Sequence, residues 1–288
     1  MRTKRRPRGQ MPLFRDMSSG VKPERLRARR RRARLITTGV LAASALVGVW
    51  VVGLLSYNTR VTIADVHVSG AKEVSSQNIE RAFDAALHDG THPLFSRANI
   101  FLYPRKSIVS DLLQKFPRLE SVSIERTSLL SQAVVVTVEE REVQYEWCDT
   151  EKCYLMDGDG FIFAQSFGGT GEYVFRGGLF PGENPIGQVF LRGRLSDITR
   201  FLNELGRAGF TPRGATVENE KDLTVELAKG FSLKVSFRAD LITTLKNFEL
   251  AAVSEALTGR LEGLEYIDLR FGNRLYYKFR GAEEVSSE

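Results

Sequence analysis

Three histidines are all that the sequence offers to imidazole chemistry. His67 sits inside an alternating apolar stretch, and His88 and His92 flank Gly90 in what reads as a loop. Two loop imidazoles could contribute to a zinc site, but no third ligand accompanies them, and zinc needs three or four protein donors. Glu139, Glu140 and Glu142 invite a paired-carboxylate reading. On a strand, however, neighbours point to opposite faces, so only Glu140 and Glu142 share one, and a solvated charged rim is expected. The glycine-rich Gly168-Gly169-Thr170-Gly171 lacks the preceding strand, the Lys-Ser/Thr pair and the following helix of a phosphate loop. Asp157-Gly158-Asp159-Gly160 begins like a calcium loop, yet the further acidic positions and the closing glutamate are missing, so a hairpin turn is expected. No catalytic residue, cofactor or metal site is expected.

Two cysteines exclude a disulfide-dense scaffold and a four-thiolate zinc centre. Cys148 and Cys153 enclose the four residues 149–152, which places them directly opposite if the flanking segments pair as a hairpin. That position suits a disulfide when the pair is not hydrogen-bonded and the compartment is oxidising, and a loop this short makes the bridge worth about 2 kcal/mol. The alternative is a reduced pair packed beside Trp147 and Tyr154.

The elements that position these residues begin with a charge asymmetry. Residues 1–34 hold 14 Lys and Arg against Asp16 and Glu24, so the overall net charge of +6 conceals a basic tail of +12 and a body of −6. From 35 to 57 there is no charge in 23 positions, enough at about 1.5 Å per residue to cross a hydrocarbon core of about 30 Å. A transmembrane helix is expected there. Arg29, Arg30, Arg31, Arg32 and Arg34 crowd its near end, so the N-terminus is expected in the cytoplasm and the bulk outside. A cleaved signal peptide is the competing reading, because Ala43-Ser44-Ala45 imitates a cleavage site, but cleavage there leaves too short an apolar run before it. The basic tail beside a membrane is expected to meet anionic lipid rather than nucleic acid.

With 42% hydrophobic and 10% aromatic residues, the 288-residue chain can bury real cores. After the span, periodicity predicts a strand at 61–68, helices from Ser75 or Ser76 to about 90 and from Pro104 to about 117, then strands at 121–126 and 133–140. Residues 88–103 make a longer connection than this β-α-α-β-β order needs. Beyond residue 144, short strands are expected at 145–148, 153–156, 161–164 and 173–176. A helix at 196–206, strands at 215–218, 223–227 and 232–237, a longer helix at 239–257 and a final hairpin at 266–279 complete the pattern.

The first of these regions, with Leu113 to Pro117 closing a helix, Arg126 after the next strand, and Glu140-Arg141-Glu142 ending the last, resembles the POTRA domain of the FtsQ/DivIB cell-division family. The string Tyr266-Ile267-Asp268-Leu269-Arg270-Phe271, between a long helix and a final strand, resembles that family's terminal hairpin. The resemblance covers roughly 35–280. It implies an α+β protein with a basic cytoplasmic tail (1–34), a transmembrane helix (35–57) and a POTRA-like domain (61–143). A mostly antiparallel β domain with two helices (144–281) and a disordered tail (282–288) follow.

It further implies a non-enzymatic scaffold at the division septum of the inner or plasma membrane. Its partners would be FtsB/DivIC-like and FtsL-like bitopic proteins, with the septal peptidoglycan synthase as a further one. A POTRA-containing secretion or assembly component, or an envelope enzyme with an unrecognised site, is the alternative. Phe271, Arg274, Leu275, Tyr276, Tyr277, Lys278 and Phe279 are the expected partner-binding residues, because the final strand should form a sheet edge and the resembled family docks its partner by adding a strand there. A three-residue hairpin loop is expected, pairing Phe271 with Leu275, Leu269 with Tyr277 and Ile267 with Phe279. It places a left-handed residue at Asn273 or Arg274 and turns Leu275, Tyr277 and Phe279 to the core. A two-residue turn would instead set Lys278 opposite Ile267.

Only Arg60 and Lys72 are basic in the 20 positions after the span. A reporter that works only outside the cytoplasm, fused at Glu288, should therefore be active, and activity of a cytoplasmic reporter alone would reverse the assigned orientation.

Overall fold

The protein is described from a computed structural model covering residues 23–88, 95–128, 131–169, 171–180 and 182–281, with side chains from residue 29 onward. His92, Gly90, Thr170, residues 1–22 and the tail at 282–288 lie outside the described residues. The chain is a mixed α+β protein. Helix α1 (Pro23–Ser56) opens on a proline, whose fixed φ and missing N–H suit a first turn. Its stretch Arg29–Ser56 is long and apolar enough to cross a membrane. The basic cluster from Arg29 to Arg34 rides on the same helix and is exposed, as are Leu41, Leu46 and Trp50.

The strand expected at 61–68 is shorter and later. Asn58 caps a 3-10 turn at Thr59–Val61, and β1 (Asp65–Ser69) starts only afterwards. The residues between pair elsewhere: Thr62 bridges Asn99, and Ile63 donates its N–H to the Ala98 carbonyl at 2.8 Å. The long connection thus folds back on the chain just after the span. Gly70 then turns at φ +88°, where a Cβ would lie 2.1 Å from the Val138 carbonyl oxygen, so only glycine fits.

Helices α2 (Ser76–Leu87) and α3 (Arg105–Lys115) follow, then β2 (Leu119–Arg126) and β3 (Ala133–Glu140). The three strands form a sheet in the order β1-β3-β2, with β1 parallel and β2 antiparallel to β3. Ile79, Phe83 and Leu87 of α2, at helical spacing, meet Ile108 and Leu112 of α3 and Ile124, Val134, Val136 and Val138 of the sheet in one apolar core.

Glu140 departs from the expected solvated rim. Its side chain is 5% exposed. It accepts the N–H groups of Lys72, Glu73 and Val74 at 2.7, 2.9 and 3.0 Å, and Nε of Arg118 at 3.2 Å. The turn after Gly70 leaves these successive amides without carbonyl partners, and a carboxylate is what they select. Burial pushes the Glu140 carboxyl up, but the amides of Val74, Lys72 and Glu73 and the Arg118 guanidinium outweigh it and hold it below the usual glutamate value.

The next residue, Arg141, makes the joint to the second core. It donates to Asp157 Oδ2 at 2.6 Å and to the Pro117 carbonyl at 3.2 Å, and its guanidinium lies 4.2 Å from the Phe161 ring centroid. Arg118 adds a second cation–π contact across the joint, 5.6 Å from the Phe163 ring.

Beyond it come β4 (Tyr145–Cys148), β5 (Cys153–Met156), β6 (Ile162–Ser166), β7 (Val174–Gly177), α4 (Leu195–Arg207), β8 (Pro212–Val217), β9 (Asp222–Leu227), β10 (Ser232–Ser236), α5 (Leu241–Ala252), β11 (Leu264–Phe271) and β12 (Arg274–Phe279). All nine strands make one sheet, ordered β12-β11-β10-β9-β8-β7-β4-β5-β6. Five of its eight strand contacts are antiparallel; β4 with β7, β7 with β8 and β10 with β11 are parallel. One row of partners crosses the sheet through Tyr277, Ile267, Leu233, Val225, Ala215, Phe175 and Trp147. From Ile267 to Trp147 this row is buried, in the same core as Ile198, Phe201, Leu202 and Leu205 of α4 and Leu245 and Phe248 of α5.

Helix α5 stops short of the expected 257. The Ser254 hydroxyl donates to the Ala251 carbonyl at 2.6 Å and helps close the helix; Ala256, which continues the apolar spacing, is exposed in a turn, and Leu257 is buried instead.

Glu140→Gln keeps the shape of this carboxylate but removes its charge and one acceptor, so it should cost about 1–3 kcal/mol in denaturant unfolding. Because the folded-state value of Glu140 is depressed, its contribution is full above the ordinary 4.5 and is lost as pH falls through the lower folded value. Wild type should therefore lose stability on acidification below about pH 4.5 more steeply than Glu140→Gln. Equal acid profiles would remove Glu140 from this role.

Candidate functional site

The β11–β12 hairpin is built by a conflict over register. A two-residue turn is geometrically the simplest link, and Gly272 supplies it with φ +70°, leaving Phe271 opposite Arg274. Continued without interruption, that register sets Lys278 against the buried Ile267. The chain resolves the conflict with a β-bulge: Leu269 and Arg270 both lie opposite Leu275, so Asp268 faces Tyr276 and Ile267 faces Tyr277. The expected three-residue loop and its pairs are therefore replaced, and the positive φ falls on glycine rather than on Asn273 or Arg274.

The bulge is clamped by its own charges. Asp268, buried at 6% exposure, accepts the Arg270 backbone N–H at 3.1 Å and Arg270 Nη2 at 2.6 Å, while Arg270 Nη1 reaches Asp222 on β9 at 3.1 Å. The bond to Asp268 pushes the Arg270 guanidinium further up, so it carries its charge at every accessible pH. At the tip, Phe271 is 54% exposed and lies edge-on to Tyr276, ring centroids 5.2 Å apart. Leu275 and Phe279 are half-buried against the core, as expected, but Tyr277 at the end of the apolar row is 37% exposed. Arg274 is exposed, and Lys278 pairs with Glu265 at 3.2 Å.

Strand β12 pairs with β11 alone and so has one unpaired side. In a two-residue hairpin the closing pair is hydrogen-bonded, and the inward set on β12 then alternates as Arg274, Tyr276 and Lys278. The Arg280 N–H donating to the Gly263 carbonyl at 2.9 Å continues that series. Leu275, Tyr277 and Phe279 consequently turn their main-chain N–H and C=O outward. The opposite edge, β6, is treated differently: Gln188 and Gly187 exchange hydrogen bonds with Ile162 at 3.0 and 2.8 Å, and Val189 bridges Phe161. In the smaller sheet, β2 is edged by Glu120, Glu125 and Arg126, charges that discourage strand addition.

The other candidates do not converge. His67 is exposed on β1, and exposed His88 contacts Asp84 at 3.3 Å. Glu139 accepts from Ser121 at 3.2 Å, Glu142 is exposed, and Glu140 faces its amides. Asp157 organises the turn at 157–160 by accepting the N–H groups of Asp159 and Phe161, a double duty with Arg141 that the turn signal gave no hint of. Cys148 and Cys153 are joined by a disulfide with Cα atoms 4.0 Å apart. The Asp149 N–H to Lys152 carbonyl bond at 2.9 Å makes theirs a non-hydrogen-bonded pair. Buried Glu146 lies close by, but bridged sulfurs carry no thiolate for a metal, and Glu146 accepts the Ser166 hydroxyl at 2.6 Å.

No protein-family model and no curated protein matches this chain. The site therefore rests on its geometry.

Alkylation of the unreduced protein should block no thiol, with two modified cysteines appearing after reduction. Replacing both cysteines by serine should lower unfolding stability by about 2 kcal/mol without loss of the β4–β5 hairpin. Two free thiols in protein purified without reductant would refute the bridge.

Proposed function

We propose that this chain is a non-enzymatic, single-pass membrane scaffold of the FtsQ/DivIB kind, which receives an FtsB/DivIC-like partner by strand addition at β12. The observation that carries the reading is the open edge of β12. It ends a nine-stranded sheet, presents outward main chain at three alternate residues, and carries or adjoins exposed Phe271, Arg274 and Tyr277, while the opposite edge is covered at its start, at Phe161 and Ile162. Added strands gain affinity from main-chain hydrogen bonds and specificity from alternate side chains, and this edge offers both.

Three further features support it. The β-α-α-β-β order of residues 65–140 agrees with a POTRA-like first domain. The apolar helix at Arg29–Ser56 supplies an anchor, and the basic residues at its start suit a cytoplasmic tail on anionic lipid. On this reading the bulk is extracytoplasmic, at the division septum. FtsL-like partners and the septal peptidoglycan synthase join through the docked strand, and the protein positions that machinery rather than performing chemistry.

The hairpin's alternation sharpens the test. Tyr277→Pro removes an outward N–H, which proline lacks, and spares the ladder to β11, so the fold should persist while co-purification of the FtsB/DivIC-like partner is lost. Lys278→Pro removes an inward group and should instead loosen the hairpin itself. Wild-type retrieval by a folded Tyr277→Pro protein would move the docking site away from β12.

A further inference from the structure

One buried side chain ties the end of the apolar helix to an exposed apolar tip. Asn99, 4% exposed, donates from Nδ2 to the Ser56 carbonyl at 3.1 Å, thereby satisfying one of the orphan acceptors at the end of α1. Its Oδ1 accepts the Phe101 N–H at 2.9 Å, and its own carbonyl accepts the N–H groups of Leu102 and Tyr103 at 3.0 and 2.9 Å. Ser56, itself 3% exposed, also accepts the Ser96 N–H on its hydroxyl at 2.9 Å. Ile100 donates to the Val61 carbonyl at 2.9 Å. The segment from Ser96 to Tyr103 is thus bolted to the last turn of α1 and, further along the chain, to Val61, Thr62 and Ile63.

The tip so held is the wrong chemistry for water. Phe101 is 60% and Leu102 49% exposed, although their neighbours Asn99 and Ile100 are both 4% exposed. One cation stands against it, the Arg126 guanidinium 5.0 Å from the Phe101 ring centroid, and exposed Arg105 and Lys106 follow within five residues in the chain. An exposed aromatic and aliphatic pair with a guanidinium against its ring and basic residues next along the chain, fixed to the residue where an apolar helix ends, matches the acyl–headgroup boundary of a phospholipid leaflet. The apolar pair fits the upper hydrocarbon, and the guanidinium and ammonium groups fit the phosphates.

We infer that Phe101 and Leu102 are a second membrane contact, seated in the headgroup boundary of the leaflet where α1 emerges and held at that depth by Asn99. The inference rests on the reading of α1 as a membrane span. With two contacts, the first domain stands on the bilayer at a fixed tilt instead of swinging about a single tether. It also accounts for the length of the connection after α2, whose described part, from residue 95, forms this clamp.

Fluorescent labelling of the full chain in phosphatidylglycerol–phosphatidylethanolamine vesicles tests it, since the Cys148–Cys153 disulfide leaves an introduced cysteine as the reactive thiol. Single labels are placed at Phe101→Cys, at Leu46→Cys within the span, and at Phe180→Cys, an exposed aromatic of the second domain. The label at 46 should be quenched by deep lipid nitroxides, the label at 101 by shallow ones with a blue-shifted emission, and the label at 180 only by aqueous iodide. Adding Asn99→Ala should abolish the blue shift at 101 and leave the label at 46 unchanged. Iodide quenching at 101 equal to that at 180, with 46 still in hydrocarbon, overturns the second contact but leaves the span intact. Iodide access at 46 overturns the span and the inference with it. A blue shift at 101 that survives Asn99→Ala overturns the role given to Asn99.

Discussion

Glu140, the last residue of β3, and Arg141, the first beyond it, hold the two cores after α1 together by turning to opposite sides. Glu140 points back into the first core and closes three amides left open by the turn at Gly70. Arg141 points forward, onto Asp157 and the Phe161 ring. Losing either leaves charged or polar groups unmatched where water reaches them poorly, the costly half of the hydrogen-bond balance. Arg118 adds to this joint, since its guanidinium touches Glu140 and also the buried Phe163 ring of β6. The entry to α2, the end of α3 and the approach to β4 are therefore set by one connected group of charges.

That joint delivers the chain into a sheet whose edges receive unequal care. The start of β6 is covered by the segment around Gln188, whereas β12 keeps one side open along its length. The bulge at Leu269–Arg270 is what makes the open edge usable: it turns Lys278 away from the core and toward Glu265, and lets Tyr277 end an otherwise buried row. The clamp of Asp268 and Arg270 gives the Tyr266–Phe271 string a physical purpose, because alternate residues of it fill the core and the others brace the irregularity.

Much of this was legible in the sequence where a single period governed a segment. Apolar spacing located α3 and α4 to within a residue or two and the start of α2, though it ran α2 on to about 90 where the helix ends at Leu87, and alternation located β3, β4, β5 and β12. It failed where two demands met in one residue. Ala256 keeps the helical spacing of α5 but lies exposed in a turn while Leu257 is buried, so periodicity overran the helix. Residues 62–63 alternate like a strand but pair with 98–99. The hairpin register depended on an extra residue that alternation cannot count. That the last strand is a sheet edge was legible, but not its pairing to β11, and Glu140 looked like any rim glutamate because three of its partners are backbone amides, which carry no sequence signature.

The parallel contacts within the large sheet bear on how the chain acquires its structure. The first core is assembled from residues 63–138, whereas β4 finds its neighbour β7 only once residues near 174 are present, and β7 in turn awaits β8 beyond 212. Such separations raise contact order and slow folding. A chain emerging N-terminus first would complete its small domain early and hold β4 and β5 as a hairpin covalently stapled at Cys148–Cys153 while the rest arrives. β11 then joins β10 by a parallel crossover through α5, and β12 closes last. The surface offered to another strand is thus the final one to form, so a competent edge marks a chain whose folding is already complete.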